Sequence, residues 1–200
     1  MKKMLVLVPA LIALVFGCSF VDNILIGSGN LVEVQMNHRG FNVIDIDAPF
    51  EVTLIPSAEY SVTIVVDDNI LDHVRIAQTD QILSMDLNAY HSYSNMTLKA
   101  FVTAPSLRGL ELSGASMVTV IDSASLPSVL SFEVEVRDAS HLILGTIVAD
   151  TLSVRVENAG RANVSAQVSS ASIVVGNASS LQMGGSADDL TLVVENASAA

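Results

Sequence analysis

The chain has 200 residues, and its 21 Asp and Glu outnumber its 9 Lys and Arg, so that its formal net charge is −12. This acidity argues against nucleic acid and anionic lipid as partners, because both need basic patches. Cys18 is the only cysteine, which excludes an intrachain disulfide. Trp is absent and other aromatics are few, a composition typical of repetitive β structure rather than of a sugar-cleaving cleft.

Residues 1–17 are typical of a secretory signal peptide. Lys2 and Lys3 precede an apolar run over residues 5–16, which is too short for a helix that spans a membrane. The run ends in Gly17-Cys18, which resembles the lipobox of bacterial lipoproteins. In that class the signal is cut before the cysteine, so we expect Cys18 to carry the lipid that anchors the chain to a membrane. The alternative is a secreted protein in which Cys18 is incidental.

Residues 18–39 are predicted to be the anchor and linker, and residues 40–106 an N-terminal β region. In that region apolar and polar residues alternate, as expected of half-buried strands, along 41–47, 50–55, 60–66, 82–87 and 96–102. Residues 67–74 are instead compatible with one helical turn. Asp67 or Asp68 would cap that turn, and Ile70, Leu71 and Val74 would face inward.

Residues 107–200 repeat one short motif: apolar, any, apolar, any, then Gly, Asp or Asn, then Ala, then Ser or Gly. Its five copies begin at residues 110, 134, 154, 173 and 192. A second short strand follows each turn. Coils of about 20 residues cannot bury an apolar face alone, whereas stacked coils share one core. The sequence therefore predicts an all-β solenoid; the alternative is a β-sandwich with coincidental turns.

The turn residues of the motif have a structural role in this interpretation. Asn and Asp tolerate the left-handed backbone conformation that a sharp bend requires, and the following Ala is small enough to lie inside the corner. Side chains at one place in successive coils can also hydrogen-bond along the stack. We therefore predict a turn ladder formed by Asp138, Asn158, Asn177 and Asn196.

These features together resemble a known family. The residues that carry the resemblance are 40–44, 50–54, 60–64, 68–71, 104–107 and 110–116, followed by the Asn-Ala-Ser turns. They are similar to the head GIN domain family, described as putative auto-transporter adhesins, over residues 40–200. The resemblance implies a right-handed parallel β-helix and a lipoprotein signal, and it leaves the activity open. Family members normally add a cap after the last coil, whereas this sequence stops at Ala200, just after an Asn-Ala-Ser turn. We therefore expect that the chain is truncated or that its last edge is protected by something else. If the edge is open, it predicts self-association.

Signals for catalysis are weak. His38, His73, His91 and His141 lie apart in sequence without metal-ligand spacing, and we expect each at the solvated surface. The cluster Asp45, Asp47 and Glu51 and the cluster Asp67, Asp68 and Asp72 lack the pattern of a calcium loop. Asp45 and Asp47 are expected on the outward side of a strand. We predict no cofactor, no metal and no catalytic residue.

The fourth position of the repeated motif offers no acidic pair on neighbouring coils, which argues against a glycosidase. The residues at that position are Ser113, Arg137, Glu157, Gly176 and Glu195. The one concentration of aromatic and polar residues is a candidate binding loop formed by Tyr90, His91, Tyr93 and Asn95. Amphipathic rings on a loop suit contacts with sugars or proteins.

The sequence thus predicts a non-enzymatic, lipid-anchored protein of the cell envelope, with the outer membrane as the expected site. Its solenoid would serve adhesion or protein–protein contact, with an unidentified protein or glycan as the ligand. One alternative is a structural or regulatory module that faces the periplasm. Another is a hydrolase that acts on polysaccharide.

Overall fold

The computed structural model describes residues 24–123, 126–196 and 198–200. The predicted signal peptide and Cys18 lie outside the described residues. None of the described segments is a helix with the length and hydropathy that a membrane span requires.

The protein is all-β, which confirms the predicted class. Its strands are β1 (Ile24–Ile26), β2 (Leu31–Met36), β3 (Val43–Asp47), β4 (Glu51–Pro56), β5 (Ser61–Asp67), β6 (Val74–Thr79), β7 (Ile82–Leu87), β8 (Ser92–Ser94), β9 (Leu98–Ala104), β10 (Gly109–Ser113), β11 (Met117–Val120), β12 (Val129–Val136), β13 (His141–Val156), β14 (Arg161–Val175) and β15 (Ser180–Val194). A short 3₁₀ turn, Leu71–His73, follows β5.

Almost all of these strands belong to one continuous sheet. Its order is β2-β5-β9-β4-β11-β13-β12-β10-β3-β7-β6, with β14 and β15 added beyond β13. The pairs β2–β5, β5–β9 and β6–β7 are antiparallel, and the other pairs are parallel. The first residues of β13 pair with β11 and its last residues pair with β12. This long strand therefore connects the part of the sheet that contains β11 with the part that contains β12.

The last three strands stack in parallel with nearly constant offsets. His141 lies opposite Arg161, and Arg161 lies opposite Ser180. In β13 and β14 buried side chains alternate with outward ones, because successive side chains of a strand point to opposite faces. The alternation shifts at residues 145–146, 150–151 and 169–170, where two successive residues lie outside the core. The inward side chains join one apolar core that extends back to β3, β4 and β5. The parallel stacking of these strands therefore buries an apolar face that a single strand would expose.

At the corners before β13, β14 and β15, two consecutive residues adopt the left-handed backbone conformation. Asn158 and Ala159 have φ values of 54° and 62°, and Asn177 and Ala178 have 58° and 62°. The main-chain N–H of Ala159 donates to the carbonyl of Asn177, so the stacking hydrogen bonds continue through the corner. The prediction that Ala lies inside the corner is wrong. The alanines are exposed, and the next residue, Ser140, Gly160 or Ser179, is buried because the chain turns inward there.

Side-chain amides connect the corners along the stack. Asn158 donates to Asp138 over 3.2 Å, Asn177 to Asn158 over 3.1 Å, and Asn196 to Asn177 over 3.1 Å. Asn suits this position because it tolerates positive φ and offers both a donor and an acceptor. The four residues therefore link successive corners through their side chains.

Replacing Asn177 with Ala is expected to lower the free energy of unfolding by about 1–3 kcal/mol, measured by urea denaturation. The change removes two amide hydrogen bonds and places an ordinary L residue at positive φ. Asn177→Gly tolerates the same φ and isolates the loss of the bonds. Asn163→Ala, at an exposed position of β14, is the matched control and should change stability by no more than ~0.5 kcal/mol. Equal effects at 163 and 177 would contradict a stabilising ladder.

The N-terminal region departs from two expectations. Residues 31–36, placed in the linker, form β2 and pair antiparallel with β5. Asp67 caps no helical turn; it ends β5, and its carboxylate accepts hydrogen bonds from the backbone N–H groups of Gly29 and Thr97. The turn that follows is short and lacks a side-chain cap, although Ile70 is fully buried as predicted.

The outer edge of β15 carries several exposed apolar side chains, and its start is bridged by Ala199. β15 pairs with β14 along its length, and Leu190, Leu192, Val193 and Val194 are between 44% and 60% exposed. A shallow groove of about 300 Å³ lies beside them, between Ile173 and Leu192. Self-association through this edge stays a prediction.

Candidate functional site

The predicted binding loop connects β7 to β9. Its residues 92–94 form β8, which pairs in parallel with β1 and ties the loop to the N-terminal segment. Tyr90 projects from the loop and is 85% exposed. Asn95 adopts a φ of 48°, which lets the loop turn back towards β9. His91 and Tyr93 are half-buried, so the loop directs these two rings against the body of the protein.

Three rings form a cluster under this loop. The ring centroids of His73 and His91 lie 4.7 Å apart, and that of Tyr93 lies 6.1 Å from His73 and 6.2 Å from His91, all with edge-to-face geometry. The Tyr93 hydroxyl donates to the carbonyl of Asn88 over 2.8 Å, which fixes the ring. Burial raises the pKa of this hydroxyl, against the opposing effect of Arg75. Tyr93 therefore stays a neutral phenol.

A cleft of about 450 Å³ opens beside His91 and Tyr93. Its polar wall comes from one level of the sheet, where Arg75 of β6 lies opposite Asp86 of β7, and Asp86 lies opposite Asp47 of β3. The Asp47 carboxylate accepts a hydrogen bond from the Ser113 hydroxyl over 2.7 Å. The cleft therefore combines aromatic, acidic and basic groups.

Two buried polar atoms on the cleft residues have no hydrogen-bond partner within the described chain. They are Oδ1 of Asp86 and Nδ1 of His91. A buried polar group without a partner costs about 1–3 kcal/mol, so each one calls for an explanation. A third such atom among the described residues, Oγ of Ser179, lies at a corner away from the cleft. We take the cleft as the candidate functional site because two of these atoms belong to residues that line it together with aromatic and charged groups.

The sequence found only part of this site. Of the predicted loop residues, His91 and Tyr93 line the cleft, whereas Tyr90 and Asn95 do not. The expectation that His73 and His91 are separate surface residues is wrong, because the β6–β7 hairpin brings the residue before β6 beside the loop that follows β7. Asp47 and Asp86 come together through the parallel pairing of β3 with β7, and no local pattern signals that pairing.

A second acidic feature adjoins the cleft. Asp45 of β3 lies opposite Glu111 of β10, which lies opposite Glu135 of β12; we call these three residues the acidic rung. Burial raises the pKa of Asp45, and the carboxylate of Asp47 raises it further. Burial likewise raises the pKa of Glu111, followed by the effect of Asp45. Arg137 partly offsets this charge through an ion pair with Glu135 of 2.8 Å.

The acidic rung corrects one argument made from the sequence. The fourth motif position has no acidic pair on neighbouring coils, but the second position does, at Glu111 and Glu135. Asp45 joins them from outside the repeated region. Neighbouring strands lie about 4.8 Å apart, so the carboxylates form a continuous row. Among the described residues, no group of three His, Cys, Asp or Glu side chains has the geometry to hold a metal ion.

Comparisons with known proteins agree on the family and the fold. The model of the family described as "Putative auto-transporter adhesin, head GIN domain" matches residues 40–200. A crystal structure of a putative adhesin from Bacteroides fragilis is similar with a TM-score of 0.64 and 16% identity, over 88% of this chain and 98% of that one. None of the curated proteins compared with the chain matches it.

Two further crystal structures are similar at 12% identity. One is a putative lipid binding protein from Parabacteroides distasonis, with a TM-score of 0.60 over 88% of this chain and 99% of that one. The other is a putative adhesin from Parabacteroides merdae, with a TM-score of 0.58 over 88% and 98%. At such identities the likeness shows a shared fold and no shared ligand.

Proposed function

Because the chain belongs to the head GIN domain family of putative auto-transporter adhesins, we propose that it is a non-enzymatic binding module of the cell envelope. In this proposal Cys18 carries a lipid in the outer membrane, and the β domain presents its outer surface for adhesion or protein–protein contact. The family and the all-β fold support the binding role. The Gly17-Cys18 signal end supports the lipid anchor.

The arrangement proposed for the β domain is a right-handed parallel β-helix of stacked coils. The support comes from the register of the last three strands, in which His141 lies opposite Arg161 and Arg161 opposite Ser180, so that successive coils have nearly the same length. The recurring left-handed corner adds to it. Stacked coils make a rigid surface, which suits recognition because little conformational entropy is lost on binding.

The observation that supports a binding role most strongly is the cleft beside the aromatic cluster. Asp86 on β7 and His91 in the loop before β8 line it, and each has one buried polar atom without a partner in the described chain. The pairing of β7 with β3 and β6 fixes Asp86 before a ligand binds, which lowers the conformational entropy lost on binding. The acidic surface around the cleft restricts the partner to a neutral or cationic group.

Protease treatment of intact cells tests the envelope location. We expect the wild-type protein to sediment with membranes and to be digested from outside, whereas Cys18→Ser should be released from the membrane fraction because it cannot be acylated. Immunoblotting of shaved cells and fractions measures both results. A periplasmic protein in the same cells controls for an intact outer membrane.

Two results of this experiment oppose the proposal. A wild-type protein that is membrane-bound but protected from protease would favour the periplasm-facing module. A Cys18→Ser protein that sediments as the wild type does would contradict the lipid anchor.

The acidic rung is the observation that favours polysaccharide hydrolysis as a second candidate. Retaining glycosidases use two carboxyl groups about 5–5.5 Å apart, one of them with a raised pKa. Asp45 and Glu111 are acids of raised pKa on adjacent strands. Polysaccharide cleavage that disappears in Glu111→Gln would establish this alternative.

A further inference from the structure

The cleft beside His91 offers hydrogen-bonding groups of both kinds. Asp86 and Asp47 present carboxylate oxygens, which accept, and Arg75 presents a guanidinium group, which donates. His91 Nδ1, which accepts or donates according to its tautomer, is buried and has no partner in the described chain, so a ligand reaches it only if the ring turns. A ligand that forms hydrogen bonds with all of these groups must carry donors and acceptors close together on one small molecule.

Charge narrows the class of ligand. Two carboxylates, and the acidic rung next to them, disfavour phosphate, sulfate and acidic sugars through like-charge repulsion. Arg75 on the opposite side disfavours a free cation, and no group of ligands for a metal ion occurs among the described residues. A neutral polar ligand avoids both penalties.

The two aromatic rings of the cleft also restrict the class of ligand. His91 and Tyr93 line the cleft and remain partly exposed, while the hydrogen bond from Tyr93 to Asn88 holds its ring in place. The ring of a hexose has an apolar C–H face that packs on an aromatic side chain, and hydroxyl groups around its rim that both donate and accept. Amphipathic side chains such as Tyr suit a ligand of this type.

We propose that this cleft binds a neutral hexose unit of a glycan. The C–H face of the sugar packs against His91 and Tyr93, and its hydroxyls pair with Asp86, Asp47 and Arg75. The inference rests on the proposed binding function and gives it a substrate class. The cavity of about 450 Å³ falls within the ~300–1,000 Å³ typical of small-molecule sites.

The test is calorimetric titration of the full-length chain, purified in a polyoxyethylene detergent so that no detergent sugar competes. The probes are β-linked tetrasaccharides of glucose and of galactose, an α-linked mannose trisaccharide, sialic acid and the peptide Lys-Lys-Lys. We expect at least one neutral sugar to bind, and sialic acid and the peptide not to bind. Binding of sialic acid or the peptide alone, or of none of the probes, overturns the proposal.

Asp86→Asn keeps the shape of the side chain and removes its charge, so we expect it to weaken sugar binding about tenfold or more. Asp189→Asn, exposed on β15 and far from the cleft in the sheet order, is the matched control and should bind as the wild type does. Thermal melts verify that both variants fold. Unchanged affinity in Asp86→Asn overturns the proposal.

Imidazole NMR signals give a readout that needs no variant. The chain has four histidines, and sugar should shift the signals of His91 and its neighbour His73 but leave those of His38 and His141 in place. Uniform shifts or none would overturn the proposal. If the protein binds sugar but is protected from protease on intact cells, surface adhesion is contradicted and the glycan site is supported. If the protein is digested on intact cells but binds no sugar, the glycan site is contradicted and surface display is supported.

Discussion

Replacing Asp67 with Ala is expected to lower the free energy of unfolding by roughly 2–5 kcal/mol. The side chain is 1% exposed, and its two carboxylate oxygens accept hydrogen bonds of 2.6 Å from the backbone N–H groups of Gly29 and Thr97. These groups lie before β2 and β9, the two strands that pair with β5. The substitution leaves two backbone donors without a partner where three segments meet. Urea denaturation followed by circular dichroism measures the change.

Asp68→Ala is the matched control for this prediction. Asp68 is the next residue in the chain, but its side chain is exposed and its carboxylate contacts the exposed hydroxyl of Ser28. We therefore expect a change of no more than ~0.5 kcal/mol. Asp67→Asn retains one acceptor oxygen, so its loss of unfolding free energy should lie between those of Asp67→Ala and Asp68→Ala. Similar losses at 67 and 68 would show that the buried carboxylate is not what joins the three segments.

Phe132→Ala is expected to cost about 3–5 kcal/mol of unfolding free energy. Phe132 is 2% exposed in β12, where it lies opposite Leu152 of β13 and belongs to the continuous core. Truncation removes its apolar contacts and leaves a cavity that stacked strands on both sides prevent from collapsing. The midpoint of urea unfolding should fall while the slope of the transition is retained.

Phe101→Ala provides the comparison for a phenylalanine that faces outward. Phe101 lies on β9 and is 44% exposed. Its truncation should cost less than ~1 kcal/mol, because little apolar surface returns to water. If the two variants were equally unstable, the inward direction of the core strands in this register would be wrong.

The acidic rung shows how stacking places like charges side by side. In a parallel sheet, side chains in the same register recur about every 4.8 Å along the stack, so Asp45, Glu111 and Glu135 cannot avoid one another. The raised pKa values of Asp45 and Glu111 reflect that crowding as well as burial.

The sequence by itself determined the features that depend on near neighbours along the chain. The alternation over residues 41–47 and 50–55 predicts strands, because a strand presents its two faces with a period of two, and the structure has β3 and β4 there. Asn158 and Asn177 predict corners, because Asn tolerates the left-handed conformation they adopt. The family and the all-β class follow from these local signals.

Only the tertiary structure decided which distant residues meet. Asp45 and Glu111 lie far apart along the chain, and nothing in either segment specifies that β3 pairs with β10. The meeting of His73 with His91, and the role of Asp67 as a junction of three segments, depend equally on long-range pairing. Such pairings are selected by the burial of the whole core rather than by local preference. For that reason the turn residues could be predicted from the sequence, but the complete cleft could not.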